Sequence, residues 1–503
     1  MPAYTRPGVY VTEGPFSTTA ATGASTVAAA FVGPVARGPI TPTLVTSWTA
    51  YKALFGDLSS SYELPYAVYH YFANGGRNAY ISRVYNGTTT TAASTAFVNI
   101  TGTVNGGSST TVFKLSADNP GAWGNSLTAT VTAGLVTGNT PTFTLTILLS
   151  GVEVERWSEL SLDPASNRFV STIVNNYSTY VSVSAVAVYT SSYTLATVTA
   201  SAFASGSDGT AANGTETSTQ WSNAVSRLDL VSQELVLNLP GMTTAAIVNS
   251  TLSYAEGRGD VFVVIDPATV TSGADALTAV SGYNASSYGA VYYPKLMMVD
   301  PAKTGTASIR STFPGGAILG LYSRVETERT VAKAPAGYAY DVRGAFGVET
   351  KFTEAEEGSL YSGHVNTLKA IAGSGVIING ARTLKKTDIT KFVPTRRSLN
   401  YIKAQSKLLT QFALFEPNNE RLWTSIQSTL SKFLSAFWAA GGLKGRTTSE
   451  AFYIICDSSN NTQSSIENGE VRIEVGVALQ TPAEFIVINV TQFTGGTSAA
   501  ENV

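Results

Sequence analysis

Cysteine is almost missing from this chain: 503 residues contain one, Cys456, which excludes an intrachain disulfide framework. It sits in "FYIICD", where a buried strand thiol is the expected role rather than a nucleophile. Histidine is nearly as scarce, at two residues, so histidine-based catalysis and metal clusters can be checked one residue at a time. His70 lies among tyrosines on an apolar helical pattern and reads as packed structure. Charge is low as well: Asp, Glu, Lys and Arg make up 13% and the net charge is −2, about half the usual charged share. No basic excess is available to neutralise phosphates, which argues against a nucleic-acid binder. The surface left over is Thr, Ser, Ala and Gly, a composition at home in a large assembly and equally in a β-rich extracellular protein. Long apolar runs are lacking too. Neither a signal peptide nor a direct membrane insertion is expected, and the chain is expected to be made and assembled in a cytoplasm.

What is present changes character along the chain, as expected of several domains in so long a polypeptide. Residues 1–26 read as an arm, with a short strand in "GVYVT" and a small-residue linker in "STTAATGAST". Residues 27–90 begin an α/β unit: a buried strand in "VAAAFVG", a helix capped by Ser47 and stopped by Gly56, a second helix opened by Pro65, and a strand in "NAYISRVY". Residues 91–205 are Thr/Val alternation, which predicts an antiparallel, half-exposed β domain. Over 206–365 apolar strands alternate with helices, which implies a largely parallel sheet. Within 366–480, one helix is expected over about 395–414 with Leu399, Ile402, Leu409 and Phe412 inward. A second runs through "NNERLWTSIQSTLSKFLSAFWAAGG", capped by Asn418 or Asn419 and stopped at Gly441. Residues 481–503 carry a last strand, "PAEFIVINVTQF", apolar on both faces at its start. Such a strand needs layers above and below and partners on its edges.

Candidate chemistry is thin. Asp266, His364 and Ser374 fall in the subtilisin order, and a serine hydrolase is the alternative they define, but no G-x-S-x-G elbow surrounds Ser374. "GSGVIING" misses the dinucleotide fingerprint, because its third glycine comes too late and it reads as helix end then strand. No P-loop is present, and no cofactor is expected. Glu354, Glu356 and Glu357 read as a solvated segment, and "PGAWGN" as a tight turn around a buried Trp123.

Taken together, "PGVYVTE", "VAAAFVGPVARGP", "LVTSWTAYKALFG", "LPYAVYHYFANGGRNAYISRV", "PGAWGN", "INGARTL", "FVPTRRSLNYI", "FEPNNERLW" and "RIEVGVALQTPAEFIVI" resemble the tail sheath proteins of contractile phages. The family includes the sheaths of R-type bacteriocins and of phage-derived injection systems. The resemblance implies a mixed α/β and α+β multidomain fold: one discontinuous inner α/β domain drawn from both chain ends, an inserted antiparallel β domain, an inserted α/β domain of subtilisin-like, non-catalytic type, and extended terminal arms. It implies a homo-oligomer of hexameric rings stacked in a helical sheath, with a tail tube protein inside and baseplate and tail terminator proteins at the ends, in a virion tail. It further implies arm strands added to neighbouring subunits, here Val9, Tyr10 and Val11 at one end and Phe485, Ile486, Val487, Ile488 and Val490 at the other. In that setting the local basic cluster Arg396, Arg397, Lys403 and Lys407 is expected to face the tube. A non-contractile surface-layer or fibre protein is a further alternative on composition.

Overall fold

The computed structural model describes residues 27–85, 92–104, 108–137, 141–184, 186, 193–195, 198–209, 216–266, 268, 270 and 272–484. The described residues open with β1 (Ala28–Gly33), β2 (Thr43–Val45), α1 (Trp48–Phe55), α2 (Leu64–Ala73) and β3 (Ala79–Arg83). Local chemistry sets these limits. The Ser47 side chain accepts from the Ala50 amide at the head of α1, and Gly56 closes the helix at φ 95°. Every residue of β1 is buried, so the strand needs cover on both faces and a neighbour on each edge.

Those neighbours come from far along the chain. After the segment 97–202, the chain runs through α4 (Ser218–Ser226), β12 (Leu235–Asn238), α5 (Ala245–Arg258), β13 (Val261–Ile265), α6 (Gly273–Ser281) and β14 (Gly289–Tyr293). It continues with β15 (Leu296–Val299), β16 (Ile309–Thr312), α7 (Gly315–Glu328), β17 (Ala345–Val348), α8 (Glu354–Ser362), β18 (Val365–Ile371) and β19 (Gly375–Asn379). One eight-stranded sheet runs in the order β19-β18-β14-β13-β12-β1-β3-β2, while β16-β15-β17 form a separate antiparallel sheet of three. The six inner strands are parallel, in register through pairs such as Ala29 with Val236 and Val236 with Phe262, while β2 and β19 close the edges antiparallel. Alternate residues feed two cores. Phe31, Val236 and Phe262 meet Val68, Ile318 and Tyr322 from α2 and α7. Ala30, Leu237 and Val263 meet Trp221 and Leu252 from α4 and α5. Helices α2 and α7 pack backbone to backbone, since a Cβ on Gly316 would lie 2.1 Å from the Ala67 carbonyl oxygen.

This topology corrects the expected partition. Residues 27–90 and 206–365 do not divide into an inner domain and an inserted one: β1 pairs directly with β12, and both ends of the sheet belong to the same body. Non-local strand pairing, which no local pattern specifies, decides the matter.

Between β3 and β12 lie β4 (Phe97–Val104), β5 (Thr110–Ala117), β6 (Leu127–Ala133), β7 (Phe143–Leu149), β8 (Val152–Leu160), α3 (Val170–Tyr177), β9 (Val181–Ser184), β10 (Tyr193–Leu195) and β11 (Val198–Ala202). They form two antiparallel sheets, β10-β4-β5-β9 and β11-β6-β7-β8, around a core that includes Ile100, Phe113, Leu127, Leu145 and Leu160. The Thr/Val alternation thus points apolar residues inward, as in β6, where Leu127, Ala129 and Val131 are buried. Of three smaller expectations, two are corrected here. Trp123 is only half-buried. Glu354, Glu356 and Glu357 are exposed or half-buried in the first turn of α8, where Glu356 closes a capping box with Thr353 at the positive helix end. "GSGVIING" begins in the β18–β19 hairpin turn and continues as β19, so its strand is as expected and its helix end is not.

The last unit holds α9 (Val393–Leu409), α10 (Glu420–Ala439), α11 (Thr448–Ala451), β20 (Phe452–Ile455), α12 (Gln463–Glu467) and β21 (Glu474–Val477). Asn419 caps α10 by accepting from the Leu422 amide, and Gly441 follows its end at φ 78°. The helix buries Leu422, Trp423, Ile426, Leu430, Leu434 and Phe437, with Phe433 and Trp438 half-buried beside them. The periodicity misleads at the end of α9. The helix stops at Leu409, where the Thr410 hydroxyl turns back to the Ser406 carbonyl at 2.8 Å, and Phe412 is 45% exposed.

Candidate assembly site in the last unit

Strands β20 and β21 pair antiparallel, Phe452 with Val477 through Ile455 with Glu474, and among the described residues they form a sheet of two. A two-stranded ribbon is marginal by itself. This one rests on α10: Ile454 and Val475 pack against Leu434, Phe437 and Leu430. Cys456, just past the end of β20, is buried in the same cluster, and burial pushes its thiol up to about 11, out of nucleophilic range at neutral pH. The helix covers one face. Among the described residues no third strand joins either edge of this sheet, and a sheet edge is where a further strand can add.

Helix α9 joins this unit to the large body. Its first turns are buried on all sides, from Val393 to Ser398. Asn400 donates to the Val261 carbonyl at 3.2 Å, and Arg396 Nε donates to Asn400 Oδ1 at 3.0 Å. Arg397 donates to Glu326 at the end of α7 and lies 4.5 Å over the Tyr322 ring, while Arg396 lies 4.3 Å over Tyr288. Glu234, at the start of β12, is buried near Arg397; burial pushes its carboxyl well above the usual carboxylate range.

The predicted basic cluster therefore separates. Arg396 and Arg397, at 0% and 2% exposure, are internal to the subunit and cannot face a tube, which corrects the expectation for both. A buried guanidinium survives there because Glu326 and tyrosine rings surround it. Lys403 is half-buried and donates to the Tyr288 hydroxyl at 3.1 Å; Lys407 is exposed. Sequence reasoning missed Glu326 and Glu234, whose only local signal is an acid next to apolar text. Val9, Tyr10, Val11, Phe485, Ile486, Val487, Ile488 and Val490 lie outside the described residues.

The candidate triad is not assembled. The Asp266 carboxylate is occupied by the Gly315 amide at 2.8 Å, the Gly241 amide at 3.0 Å and the Asn238 amide group at 3.2 Å, all structural donors. His364 Nδ1 meets the Thr383 carbonyl at 2.8 Å. Ser374 sits in the turn after β18, and the seven residues of that strand put it about 20 Å from His364. Among the described residues no group of three or more His, Cys, Asp or Glu could hold a metal, and no helix is long and apolar enough to cross a membrane.

Comparison with known proteins bears on this unit first. Residues 385–493 match the phage tail sheath C-terminal domain. The chain is 24% identical over 176 residues to the tail sheath protein of Vibrio phage KVP40, which is 35% of this chain and 25% of that protein. It is 25% identical over 156 residues to the tail sheath protein of Enterobacteria phage T4, 30% of this chain and 23% of that one. The match thus spans about a quarter of the length of these relatives. Among solved structures, the sheath tail protein from Listeria innocua is similar at TM-score 0.62 and 12% identity, over 87% of this chain and 90% of that one. The sheath complex of an extracellular contractile injection system in its contracted state is similar at TM-score 0.57 and 20% identity, over 98% and 99%. The six-fold symmetrised anti-feeding prophage baseplate contains a chain similar at TM-score 0.59 and 19% identity, over 98% and 100%. At these identities the structures speak for the fold.

Proposed function

We propose that this chain, which belongs with the contractile tail sheath proteins through the domain at residues 385–493 and the fold around it, is the structural subunit of a contractile tail sheath. Subunits polymerise as stacked hexameric rings around a tail tube, between a baseplate and a tail terminator, in a particle assembled in a bacterial cytoplasm. The observation that supports this reading is the β20–β21 sheet, which has two strands among the described residues, on a chain with apolar segments near both ends. Strands around Val9–Val11 and Phe485–Val490 of neighbouring copies complete that sheet, so the shell is linked by main-chain hydrogen bonds that can persist while subunits rotate. Shortening proceeds from a metastable extended state and needs no nucleotide. Lys407, and Lys403 beside it, remain the basic groups for the tube. The hydrolase alternative has no assembled site to work with.

Electron microscopy of the full-length protein beside versions lacking residues 1–20 or 482–503 tests the proposal. Ordered tubes from the full chain, lost in either truncation, are expected. Tubes that form without both arms would sink the strand-exchange reading.

A further inference from the structure

Past β21 the chain stays bonded to the rest of the subunit as far as Glu484. The Lys444 amide donates to the Ala478 carbonyl at 3.2 Å, and Leu443 and Leu479 form an antiparallel bridge. The Thr395 hydroxyl, in the first turn of α9, donates to the Gln480 carbonyl at 3.0 Å. Glu484 then reaches the large body. Its two carboxylate oxygens accept from Arg382 Nε at 3.2 Å and Nη2 at 2.7 Å, in a fork that leaves the side chains 15% and 14% exposed. The Tyr361 ring, on α8, lies 3.7 Å from the same guanidinium. Beside the pair runs a groove of about 680 Å³ whose walls include Tyr361, Asn379, Ala381, Gly441 and Gln480.

Arg382 is itself held rigidly. Its amide donates to Asn366 Oδ1 at 2.7 Å, and its carbonyl accepts from Asn366 Nδ2 at 2.8 Å; Asn366 is buried in β18 and also donates to the Val291 carbonyl at 3.0 Å. A cation fixed to the central sheet by its own backbone therefore grips the last residue before the apolar segment that begins at Phe485.

We infer that Arg382, with Tyr361 stacked on it, is the positioning residue that anchors the root of the C-terminal arm to the body, so that load on the arm enters the central sheet at Arg382. This rests on the sheath reading for its purpose, though not for its geometry. The mechanical point is one of direction. Without the anchor, a pull on the arm would open the Thr395 bond and the Leu443–Leu479 bridge one at a time and peel β21 from β20. With it, the pull is met by a charge-assisted fork before it reaches β21, and the exit direction of the arm is set by the body.

The test uses the full chain with Glu484→Arg, Arg382→Glu and the double exchange. Glu484 lies beyond β21, the last strand among the described residues, so Glu484→Arg leaves the folded body intact even if Arg382→Glu does not. Chymotryptic cleavage after Phe485 in the unassembled protein is expected to speed up about ten-fold in each single variant, as loss of a half-buried charge-assisted pair shifts local opening. The double exchange is expected to return cleavage towards the wild-type rate and to restore sheath assembly that the single variants lose. Cleavage at the wild-type rate in Glu484→Arg, or a double exchange no better than either single, would overturn the anchor. A wild-type chain that forms no sheath on its tube would instead count against the sheath reading, and the cleavage comparison would still decide the anchor.

Discussion

Replacing Glu326 by Gln removes one charge from the joint between α9 and the body while keeping the side chain's shape. Arg397 is then left at 2% exposure without its bonded carboxylate. Breaking a buried ion pair on one side costs about 3–5 kcal/mol, because the remaining charge stays desolvated. The Tyr322 ring under the Arg397 guanidinium remains, so the lower end, about 3 kcal/mol, is expected. The double change Glu326→Gln with Arg397→Met removes both charges and is expected to recover to within about 1 kcal/mol of wild type, since apolar replacements of buried pairs are often neutral. Urea unfolding followed by tryptophan fluorescence is the assay; Trp423 and Trp438 on α10 report the last unit. A chain of several units can unfold in steps, so the transition of that unit is the one to fit. A single variant that loses less than about 1 kcal/mol, or a double variant no more stable than the single, would refute the claim that this ion pair docks α9.

Two further outcomes follow from buried groups. Burial pushes the Asp266 carboxyl up from 3.8 to about 6, so its contribution to stability is full below about pH 3.8 and is lost as pH rises through 6. Burial, helped by Arg310, pushes His70 down from 6.5 to about 4, so its contribution is full above about pH 6.5 and is lost as pH falls through 4. Acidification from about pH 7 to 5 is therefore expected to cost His70→Gln about 2 kcal/mol less than it costs wild type, and Asp266→Asn about 1 kcal/mol more, with parallel stability curves as the refuting result. Gly316→Ala forces a Cβ to 2.1 Å from the Ala67 carbonyl and is expected to destabilise the body by about 3 kcal/mol or more. Gly358→Ala, in open space on α8, is expected to gain up to about 1 kcal/mol. Equal melting temperatures for the two glycine variants would contradict the close α2–α7 packing.

What the sequence made legible was what a few adjacent residues decide. Ser47, Asn419 and Gly56 punctuate helices because a cap is satisfied within three or four positions. The alternation in "LTATVTA" reads directly as one buried face. Strand partners are another matter. β1 is equally apolar on both sides, so its text says only that it is central; that its neighbours are β12 and β3 depends on residues remote in the chain.

The same limit governed the candidate site, with the opposite sign. Two adjacent arginines on an amphipathic helix read as a solvated, partner-facing patch, because a buried charge is costly unless something neutralises it. The neutralising group, Glu326, lies in the last turn of α7, and tertiary packing alone brings it to Arg397. Once the pair exists, the buried first turns of α9 become the joint that holds the last unit against the central sheet, and the exposed end, Lys407 onward, becomes the part free to meet another molecule. The fork at Arg382 follows the same logic at the other end of that unit: a cation set in the body captures the chain just before its apolar segment begins. In the sheath proposed above, a last unit held to the body at both α9 and Glu484 would rotate with it as one piece, the mechanical requirement of a shell that changes diameter without coming apart.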